Sequence, residues 1–490
     1  MKVLMVYPNC PDTFWSFKHA LKFISKKAAH PPVGLLTVAA ILPTQWEKRL
    51  VDMNIAPLKD SELEWADYLF VSAMAIHRES VREIIKRGKE KGVKIVAGGP
   101  LFTTDYVSFQ GVDHYVLNEG EITIPMFLED LKQGIPRKVY SSDILPDLSK
   151  TPVPLWSLLN MDEYANMNIQ YSRGCPFDCD FCDITNLFGK KVRTKTKEQV
   201  INELESLYLH GWKDQVFFVD DNFIGNKSKL KNEILPAIIE WMKKRKNPFV
   251  FSTEASINLA DDDELIEMMV AAGFNAVFVG IETPEEDSLA ECGKFQNKNR
   301  NLVECVKKIQ KSGLQVTGGF ILGFDNDSPS IFQKQIEFIQ KSGIVTAMVG
   351  LLNAPKNTKL YNRLKQEKRI LRDVSGNNTD YSLNFVPKMD PVKLVEGYKA
   401  VLQGIYSIKP YYERVFTFLK EHKLKNSSCK FKMSHIGVFF RSILILGVRE
   451  KGRKHYWKLI LWTLFKKPRS FPVVITLAIY GFHFRKFLKI

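Results

Sequence analysis

Short runs of apolar residues alternate with longer amphipathic stretches through most of this 490-residue chain. The runs have the length of buried strands, and the stretches between them repeat apolar positions at helical spacing. Strands that alternate with helices form parallel sheets, so the pattern predicts an α/β fold. From about residue 378 the alternation fades, and a mostly helical C-terminal domain is expected over residues 378–490.

The first 140 residues predict a Rossmann-like parallel sheet with helices at about 33–42, 78–92 and 122–133. The strand candidates are Lys2–Tyr7, Lys48–Met53, Tyr68–Met74, Lys94–Gly98 and His114–Leu117. Such sheets bind ligands beyond the carboxyl ends of their strands. The candidate residues at those ends are Pro8, Asn9, Ser72, Gly98, Gly99, Glu119 and Gly120. The alternative is a domain that has lost its ligand or binds a nucleotide, although the fingerprint G-x-G-x-x-G is absent.

A proline-punctuated linker over residues 141–166 precedes six strand–helix repeats in residues 167–377. The strands are expected at Met167–Tyr171, Gln215–Val219, Phe249–Thr253, Ala276–Gly280, Gln315–Leu322 and Val345–Leu351. The helices between them are expected at 196–210, 227–245, 262–272, 299–312 and 329–342, with left-handed glycine caps at Gly211, Gly273, Gly313 and Gly343. Six repeats predict a partial (β/α)6 barrel with its chemistry at the carboxyl ends of the strands.

The last ninety residues carry the whole net charge of the chain. Residues 401–490 contain 19 Lys+Arg and 3 Asp+Glu, a net charge of +16, whereas residues 1–400 contain 51 of each. Helices are expected at 390–407, 411–422 and 434–448, followed by two aromatic runs, 455–467 and 471–484. The second run has 14 residues without a charge, too few to cross a bilayer as a helix.

Three interpretations fit this basic C-terminal domain. Basic flanks beside Trp and Tyr favour a segment, within 430–490, that lies on an anionic membrane surface. A helical cap packed on the barrel fits equally well. RNA binding is the third, but no RNA-binding motif is present and the aliphatic content exceeds what a phosphate groove needs. Nucleic acid is therefore not the expected partner.

The composition of the chain is that of a globular protein, with 45% apolar and 25% charged residues. The N-terminus has the apolar run of a first strand rather than the layout of a signal peptide. The chain has seven cysteines, and three of them, described next, favour an oxygen-sensitive iron–sulfur cluster. A reducing cytoplasm is therefore the expected compartment.

The most informative motif is the run Ser172–Cys182, in which Cys175, Cys179 and Cys182 have the spacing C-x3-C-x2-C. Three thiolates this close can hold three irons of a [4Fe–4S] cube and leave the fourth iron without a protein ligand. A disulfide set is disfavoured by the odd number of cysteines. A zinc site usually takes a fourth ligand at short spacing, but the next cysteine is Cys292 and the next histidine is His210. The scattered Cys10, Cys292, Cys305 and Cys429 are expected to be buried as small hydrophobes.

Polar and glycine residues follow the later barrel strands at the same edge as the cysteines. They are Asp220, Asp221, Asn222, Glu254, Ser256, Gly280, Glu282, Gly318 and Gly323. Carboxylates suit ribose hydroxyls and an ammonium group, and glycines admit a flat base. The alternative for Asp220 and Asp221 is ordinary capping of the next helix.

The cysteine run resembles the signature of the radical S-adenosylmethionine (SAM) superfamily. The N-terminal domain resembles the cobalamin-binding domain of its class B methyltransferases through His30–Leu36, Gly98–Pro100 and Asn118–Glu121. The resemblance implies that Pro32 and Gly34 join the cobalamin contacts, that Phe181 lies beside the adenine, and that the strand-end residues bind SAM. The histidine motif that ligates cobalt in many cobalamin proteins is absent, as it commonly is in this class.

The C-terminal domain resembles the extension of hopanoid C-2 methylases at Asn384–Met389, Gly397-Tyr398 and Tyr411–Arg414. The resemblance implies a cluster that cleaves SAM reductively, hydrogen abstraction from an unactivated carbon, and methyl transfer from cobalamin to a lipid or other small molecule. It also implies an external one-electron donor, flavodoxin- or ferredoxin-like. The alternatives are a tetrapyrrole cyclase-like oxidation or other radical rearrangement, RNA methylthiolation, and a non-enzymatic membrane-associated redox or binding protein. RNA methylthiolation expects three N-terminal cysteines, and only Cys10 is there.

Overall fold

A computed structural model describes residues 1–423 and 433–490. Cys429 lies outside the described residues. The described residues form two parallel sheets with helical layers and a helical C-terminal region. This architecture confirms the predicted α/β class.

The N-terminal sheet is entirely parallel, in the strand order β2-β1-β3-β4-β5-β6. Its strands are β1 Lys2–Tyr7, β2 Glu47–Asp52, β3 Tyr68–Ser72, β4 Lys94–Gly98, β5 His114–Val116 and β6 Val139–Tyr140. Its helices are α1 Lys18–Ile24, α2 Val33–Ile41, α3 Asp60–Trp65, α4 Arg78–Glu90, α5 Pro100–Asp105 and α6 Gly120–Lys132. The short β6, α1, α3 and α5 were not predicted, because each has too few residues to show a period.

The second sheet is a parallel half-barrel with the order β14-β13-β12-β11-β10-β7. Its strands are β7 Met167–Ile169, β10 Gln215–Phe218, β11 Val250–Glu254, β12 Phe274–Glu282, β13 Gln315–Leu322 and β14 Ala347–Leu351, while β8 Ser172–Arg173 pairs antiparallel with β9 Arg193–Thr194. The helices are α7 Ile184–Phe188, α8 Lys197–Leu209, α9 Lys227–Lys229, α10 Leu235–Lys244, α11 Asp263–Ala272, α12 Glu286–Glu291, α13 Leu302–Lys311, α14 Ile331–Ser342 and α15 Lys359–Gln366. The predicted caps Gly211, Gly273, Gly313 and Gly343 all have positive φ.

The gap between the first and last strands of the half-barrel is bridged by the N-terminal loop that follows β1. The imidazole Nδ1 of His30 lies 2.9 Å from Oδ1 of Asn168 on β7. The indole N–H of Trp15 donates to Sδ of Met348 on β14, at 3.1 Å. This loop therefore belongs to the barrel core, although its sequence position lies within the N-terminal sheet region.

The segment 141–166 is packed more closely than the expected linker. Trp156 and Tyr164 are buried, and the amide of Leu155 donates to the carbonyl of Leu36. Pro152 follows the first of its short helical turns, Leu148–Lys150, and the buried side chains of the segment contribute to the core.

The C-terminal region consists of α16 Pro391–Tyr406, α17 Ile408–Glu421, α18 Met433–Ser442, α19 Arg453–Lys466 and α20 Phe471–Leu488. A π-helical stretch, Ile443–Arg449, continues α18. Helix α20 packs against α1, α16 and α17, and Phe484 stacks on Phe14 with ring centroids 4.3 Å apart. The buried face of α20 favours the packed-cap interpretation for residues 471–484.

One helical segment in the described chain, Pro468–Leu488, is long and apolar enough to cross a membrane. Its mean hydropathy is 1.2, and half of the apolar window is buried inside the fold. It is longer than the 14-residue uncharged run because the helix continues through Arg485 and Lys486. Length and composition of a single helix are weak evidence for a span, since buried core helices share both.

Candidate active site

The three cysteines lie in the loop that leaves β7 and returns through the β8–β9 pair. Gly174, directly before Cys175, has φ of +91°, and a Cβ there would lie 2.9 Å from the carbonyl oxygen of Gly189. Only glycine fits this position. Cys179 is buried and its carbonyl accepts from the amide of Cys182 at 3.1 Å, so the loop curls tightly around the sulfur atoms.

Two carboxylates that follow β10 accept hydrogen bonds from this loop. Asp220 is buried and accepts from the Tyr171 amide at 3.1 Å and from the Ser172 hydroxyl at 2.6 Å, as well as from the Ser172 amide. Asp221 accepts from the Gly174 amide at 2.9 Å. Burial raises the pKa of Asp220 to about 7 and that of Asp221 to about 6. Both predicted SAM contacts thus direct their carboxylates to the backbone of the cysteine loop, and neither acts as the helix cap considered as the alternative.

Amide groups face two of the three sulfur atoms. Nδ2 of Asn222 lies 3.9 Å from Sγ of Cys175, and Nε2 of Gln296 lies 3.9 Å from Sγ of Cys179. Burial raises the pKa of all three thiols, that of Cys182 to about 12. Thiols in such surroundings become thiolates when cationic metal neutralises them, and amide donors then stabilise the sulfur charge. Within residues 1–423 and 433–490, no group of three or more His, Cys, Asp or Glu side chains is placed to hold a single metal ion.

A buried ion pair lies beside the cysteines. Nζ of Lys294 is 2.6 Å from Oε1 of Glu282, and both side chains are nearly buried. Burial alone would lower the pKa of Lys294, but the charges of Glu282 and Cys179 raise it above its usual value. Glu282 has φ of +65° at a break in register of β12. A Cβ on Gly280 would collide with the Glu282 carboxylate and lie 2.7 Å from Lys294, so the glycine makes room for the pair.

Lys294 was not predicted as a site residue. It lies between α12 and α13, twelve residues after Glu282, where no periodicity or motif relates the two. Only the fold brings its ammonium group to the cysteine loop, and no signal in the sequence alone could have found it.

Ser256 and Asn222 line a cavity of about 490 Å³ beside the cysteine loop. The amide of Asn222 donates to the Ser256 hydroxyl at 3.2 Å, which joins the ends of β10 and β11. Glu254 ends β11 on the inner side of the barrel. Burial, reinforced by the charges of Asp221 and Asp220, raises the pKa of Glu254 to about 8.

Phe181 and the glycines of β13 occupy different layers of the site. Phe181 faces Phe324, with ring centroids 6.3 Å apart, at the apolar edge of the loop. A Cβ on Gly318 would lie 2.8 Å from the Phe320 ring and 3.2 Å from Ile344, on the side of the helical layer. A Cβ on Gly319 would instead lie 2.8 Å from Phe278, inside the barrel. Of these two adjacent glycines, Gly319 is the one that faces the barrel interior, because side chains alternate between the faces of a strand, and the SAM contact at Gly318 stays a prediction.

Gly323 lies just beyond β13 with φ of +103°, and its amide donates to Asp327 at 2.8 Å. A Cβ there would lie 3.0 Å from Leu394 on α16. Its glycine is explained by the close approach of the C-terminal domain as well as by the backbone turn.

The predicted cobalamin contacts gather at the carboxyl edge of the N-terminal sheet. Pro8, Asn9, Ser72, Gly98 and Gly99 end β1, β3 and β4, which are neighbours in the sheet. A Cβ on Gly98 would lie 2.8 Å from the Val116 carbonyl oxygen, and one on Gly99 would lie 2.7 Å from the Ser72 hydroxyl. These two glycines are thus required by approaching protein atoms, whatever ligand lies above them.

Pro32, Gly34, Glu119 and Gly120 lie at the starts of α2 and α6, which pack against each other. Pro32 is buried, whereas Gly34 is exposed and a Cβ there would meet nothing within 4 Å. Glu119 is buried, and its role as a cobalamin contact stays a prediction. Its carboxylate accepts from Arg173 at 2.6 Å and from Arg193 at 2.7 Å, so its hydrogen bonds go to the cysteine loop rather than to the sheet edge.

Three family models match successive parts of the chain. A B12-binding domain matches residues 23–128, the radical SAM superfamily matches 169–339, and a domain of unknown function matches 358–490. An uncharacterized methyltransferase of Synechocystis is 39% identical over 500 residues, covering 100% of this chain and 92% of the relative. Hopanoid C-2 methylase of Rhodopseudomonas palustris is 35% identical over 396 residues, covering 80% of this chain and 74% of that protein. The chain belongs to the B12-binding radical SAM methyltransferase family.

Solved structures share the fold of this B12-binding radical SAM protein. The match to the cobalamin-dependent radical enzyme OxsB covers 100% of this chain and 79% of the OxsB chain, with a TM-score of 0.64 at 14% identity. The match to the methyltransferase TsrM of Kitasatospora setae covers 81% of this chain and 85% of the TsrM chain, with a TM-score of 0.58 at 17% identity. The likeness confirms the predicted architecture of cobalamin-type domain and radical SAM barrel.

Family membership confirms the enzyme class and the cofactors predicted for this radical SAM protein. They are a [4Fe–4S] cluster, SAM and cobalamin. The residues present fit the cluster, since one buried and two half-buried thiols share a single short loop and two of them face amide donors. As a member of this family, the enzyme acts on a small-molecule or lipid substrate and needs an electron donor. The non-enzymatic alternative is therefore wrong.

Proposed function

We propose that this enzyme methylates an unactivated carbon of an apolar, lipid-class small molecule. The observation that carries the proposal is the apolar inner surface of the half-barrel. Met348 and Phe278 line it from β14 and β12, and Trp15 lies against both, with 5.5 Å between the ring centroids of Trp15 and Phe278. Phe217 lies on the opposite side beside His30, at 5.5 Å between ring centroids. Pockets lined in this way bind apolar ligands and orient them through a few polar groups.

The polar groups of the barrel lie at one end, beside the cysteine loop. We propose that Cys175, Cys179 and Cys182 hold the cluster, and that Lys294, Glu282, Glu254, Ser256 and Asn222 bind SAM next to it. An ammonium group pairs with a carboxylate and carboxylates bind ribose hydroxyls, so this set suits the two polar ends of SAM. Phe181 and Gly319 leave flat apolar surface for the adenine. Asp220 and Asp221 position the cysteine loop through their hydrogen bonds, and the residues named above make the contacts with SAM.

When bound, the three cofactors supply the reductive cleavage of SAM, the hydrogen abstraction and the methyl group. The protein holds them in place and keeps water out. The carboxyl edge of the N-terminal sheet, with Ser72 and Asn9, is the proposed floor for cobalamin. Trp15 and His30 come from that same domain, so both domains contribute side chains to the proposed substrate site.

The enzyme is also proposed to work in the cytoplasm, in peripheral contact with the inner face of the membrane. The basic C-terminal region supports this placement, because anionic lipids attract Lys and Arg. The electron donor is proposed to be flavodoxin- or ferredoxin-like. Such a donor must approach the cluster from outside the barrel, where the exposed Lys190 of the loop and Lys359 at the start of α15 both pair with Asp178.

The test is product analysis with methyl-labelled SAM. The protein is reconstituted without oxygen with iron, sulfide and cobalamin, then reduced and offered lipid extract and polar metabolites separately, in detergent. Label in a lipid fraction is expected. The triple variant Cys175→Ala/Cys179→Ala/Cys182→Ala should give none, whereas Cys305→Ala, outside the loop, should resemble the wild type. Label only in polar products, or 5′-deoxyadenosine with no labelled product, would contradict the proposal.

A further inference from the structure

The C-terminal domain presents an exposed apolar surface to which no role has yet been assigned. Seven large apolar side chains between residues 440 and 465 are more than a third exposed, Phe465 as much as 82%. They are Phe440, Leu444 and Val448 on α18 and its π-helical continuation, and Trp457, Leu461, Leu464 and Phe465 on α19. These seven residues are called the outer face. Contiguous apolar surface of this kind usually marks an interaction site.

The two helices present the outer face side by side. The indole N–H of Trp457 donates to the carbonyl of Gly447 at 2.9 Å, and a Cβ on Gly447 would lie 3.2 Å from the Trp457 ring. This close contact places α19 against the stretch that carries Leu444 and Val448. The opposite side of α19, with Tyr456, Leu459 and Ile460, is buried in the fold. The apolar residues of the outer face thus lie on the solvent side of a helix whose other side is packed into the fold. Their exposure does not arise from fraying of the helix.

Basic residues surround the outer face. Residues 433–490 contain 12 Lys+Arg, and their one acidic residue is Glu450. Lys486 lies 3.5 Å from the Glu450 carboxylate, so even this charge is balanced within the domain. On α19, the exposed Arg453, Lys454 and Lys458 lie at helical spacing beside Trp457 and Leu461.

We infer that the outer face is the surface by which this enzyme binds an anionic lipid bilayer. Apolar side chains with Trp among them and a basic border complement the acyl boundary and the anionic head groups. A second copy of this chain is disfavoured as the occupant, because two such faces would bring equal positive charges together. The inference rests on the proposed membrane-associated function and names the surface that serves it.

The test is flotation of the full-length protein with lipid vesicles, without cofactors or substrate. Vesicles of phosphatidylcholine alone are compared with an equimolar mixture with phosphatidylglycerol. The wild type should float with the anionic vesicles and lose binding as salt is raised. Leu461→Glu/Phe465→Glu should lower the bound fraction about tenfold or more, and Lys454→Glu/Lys458→Glu should lower it on anionic vesicles only.

The matched control is Leu209→Glu/Val107→Glu, because both residues are apolar, 71% and 75% exposed, and lie outside the C-terminal domain. This control should float like the wild type. If Leu461→Glu/Phe465→Glu does not fold by circular dichroism, Leu461→Gln/Phe465→Gln takes its place. Equal flotation of the outer-face variants and the wild type would overturn the inference. So would a dimer that those variants dissociate. Methylation in detergent is measured separately, so failure of flotation is distinct from failure of the proposed chemistry.

Discussion

Arg173 and Glu119 form a buried ion pair between the cysteine loop and the N-terminal domain, with 2.6 Å between Nη1 and Oε2. Arg173 precedes Cys175 by two residues, and Glu119 precedes α6. The same carboxylate binds Arg193 on the returning arm of the loop, at 2.7 Å. One glutamate therefore fastens both arms of the cluster loop to the domain proposed to carry cobalamin.

Glu119→Gln should loosen this joint. The Arg193 guanidinium would lose its charged partner, whereas Arg173 keeps its ion pair with Glu121 at 2.7 Å. Breaking a buried pair in this way costs about 3 kcal/mol. The free energy of unfolding, measured by denaturant titration, should fall by that order. After anaerobic reconstitution and desalting, the variant should also retain less iron per chain, since the returning arm of the loop loses its ion pair with the N-terminal domain.

Glu83→Gln is the matched control, because Glu83 is exposed on α4. It should change the free energy of unfolding by no more than about 0.5 kcal/mol and leave the iron content unchanged. Iron retention equal to that of the wild type in Glu119→Gln would show that the loop does not depend on this joint.

Lys294→Met should separate the structural and binding roles of the Lys294–Glu282 pair. The single variant leaves a buried carboxylate without its cation, which costs about 3–5 kcal/mol. Lys294→Met/Glu282→Gln removes the stranded charge, so much of that stability should return. SAM binding to the reconstituted protein, measured by equilibrium dialysis, should remain weak in both variants.

The outcome of the double variant decides the interpretation. If SAM binding recovers together with stability, the pair is structural and another group binds the SAM carboxylate. Lys298→Met, four residues on in the same connection and free of the ion pair with Glu282, is the control and should bind SAM like the wild type.

The elements and the cluster were predictable because each depends on local sequence. Strands such as Gln215–Phe218 are apolar runs between polar turns, and the spacing of Cys175, Cys179 and Cys182 is itself the signal. The contacts between distant segments were not predictable. Trp15 and Met348 are 333 residues apart, and nothing in either neighbourhood specifies the other.

Single-residue assignments depend on the register of a strand, because a shift of one position reverses the face on which a side chain lies. Gly318 and Gly319 are adjacent in sequence, but only Gly319 faces the barrel interior. Without knowledge of the register of β13, both glycines fit the prediction equally well. Glu119 shows the same limit for loops, because its partners Arg173 and Arg193 come from another domain.

Trp15→Ala should open the wall of the proposed substrate cavity. Loss of the ring removes its contacts with Phe278 and Met348, and such truncations cost about 3 kcal/mol. The looser cavity should hold the substrate less firmly, so 5′-deoxyadenosine should exceed methylated product by more than in the wild type. Liquid chromatography with mass detection measures both products in one reaction.

Trp65→Ala is the control for this effect. Trp65 ends α3 and lies under the guanidinium of Arg49, far from the barrel strands in the fold. The ratio of 5′-deoxyadenosine to methylated product should be the same in Trp65→Ala as in the wild type. An unchanged ratio in Trp15→Ala would mean that Trp15 only fills the core.

Glu254→Gln should change how stability depends on pH. Burial, with the charges of Asp221 and Asp220, raises the pKa of Glu254 from 4.5 to about 8, while Lys294 acts in the opposite sense. The stability contributed by the protonated group is complete below pH 4.5 and is lost as the pH rises through about 8. The wild-type protein without cofactors should therefore lose stability relative to Glu254→Gln across this window. Thermal unfolding should show the difference in Tm growing by about 3 °C or more. Glu264→Gln, with a side chain 72% exposed, should follow the wild type at every pH. A constant difference between Glu254→Gln and the wild type would mean that Glu254 is ionised in the folded barrel at neutral pH.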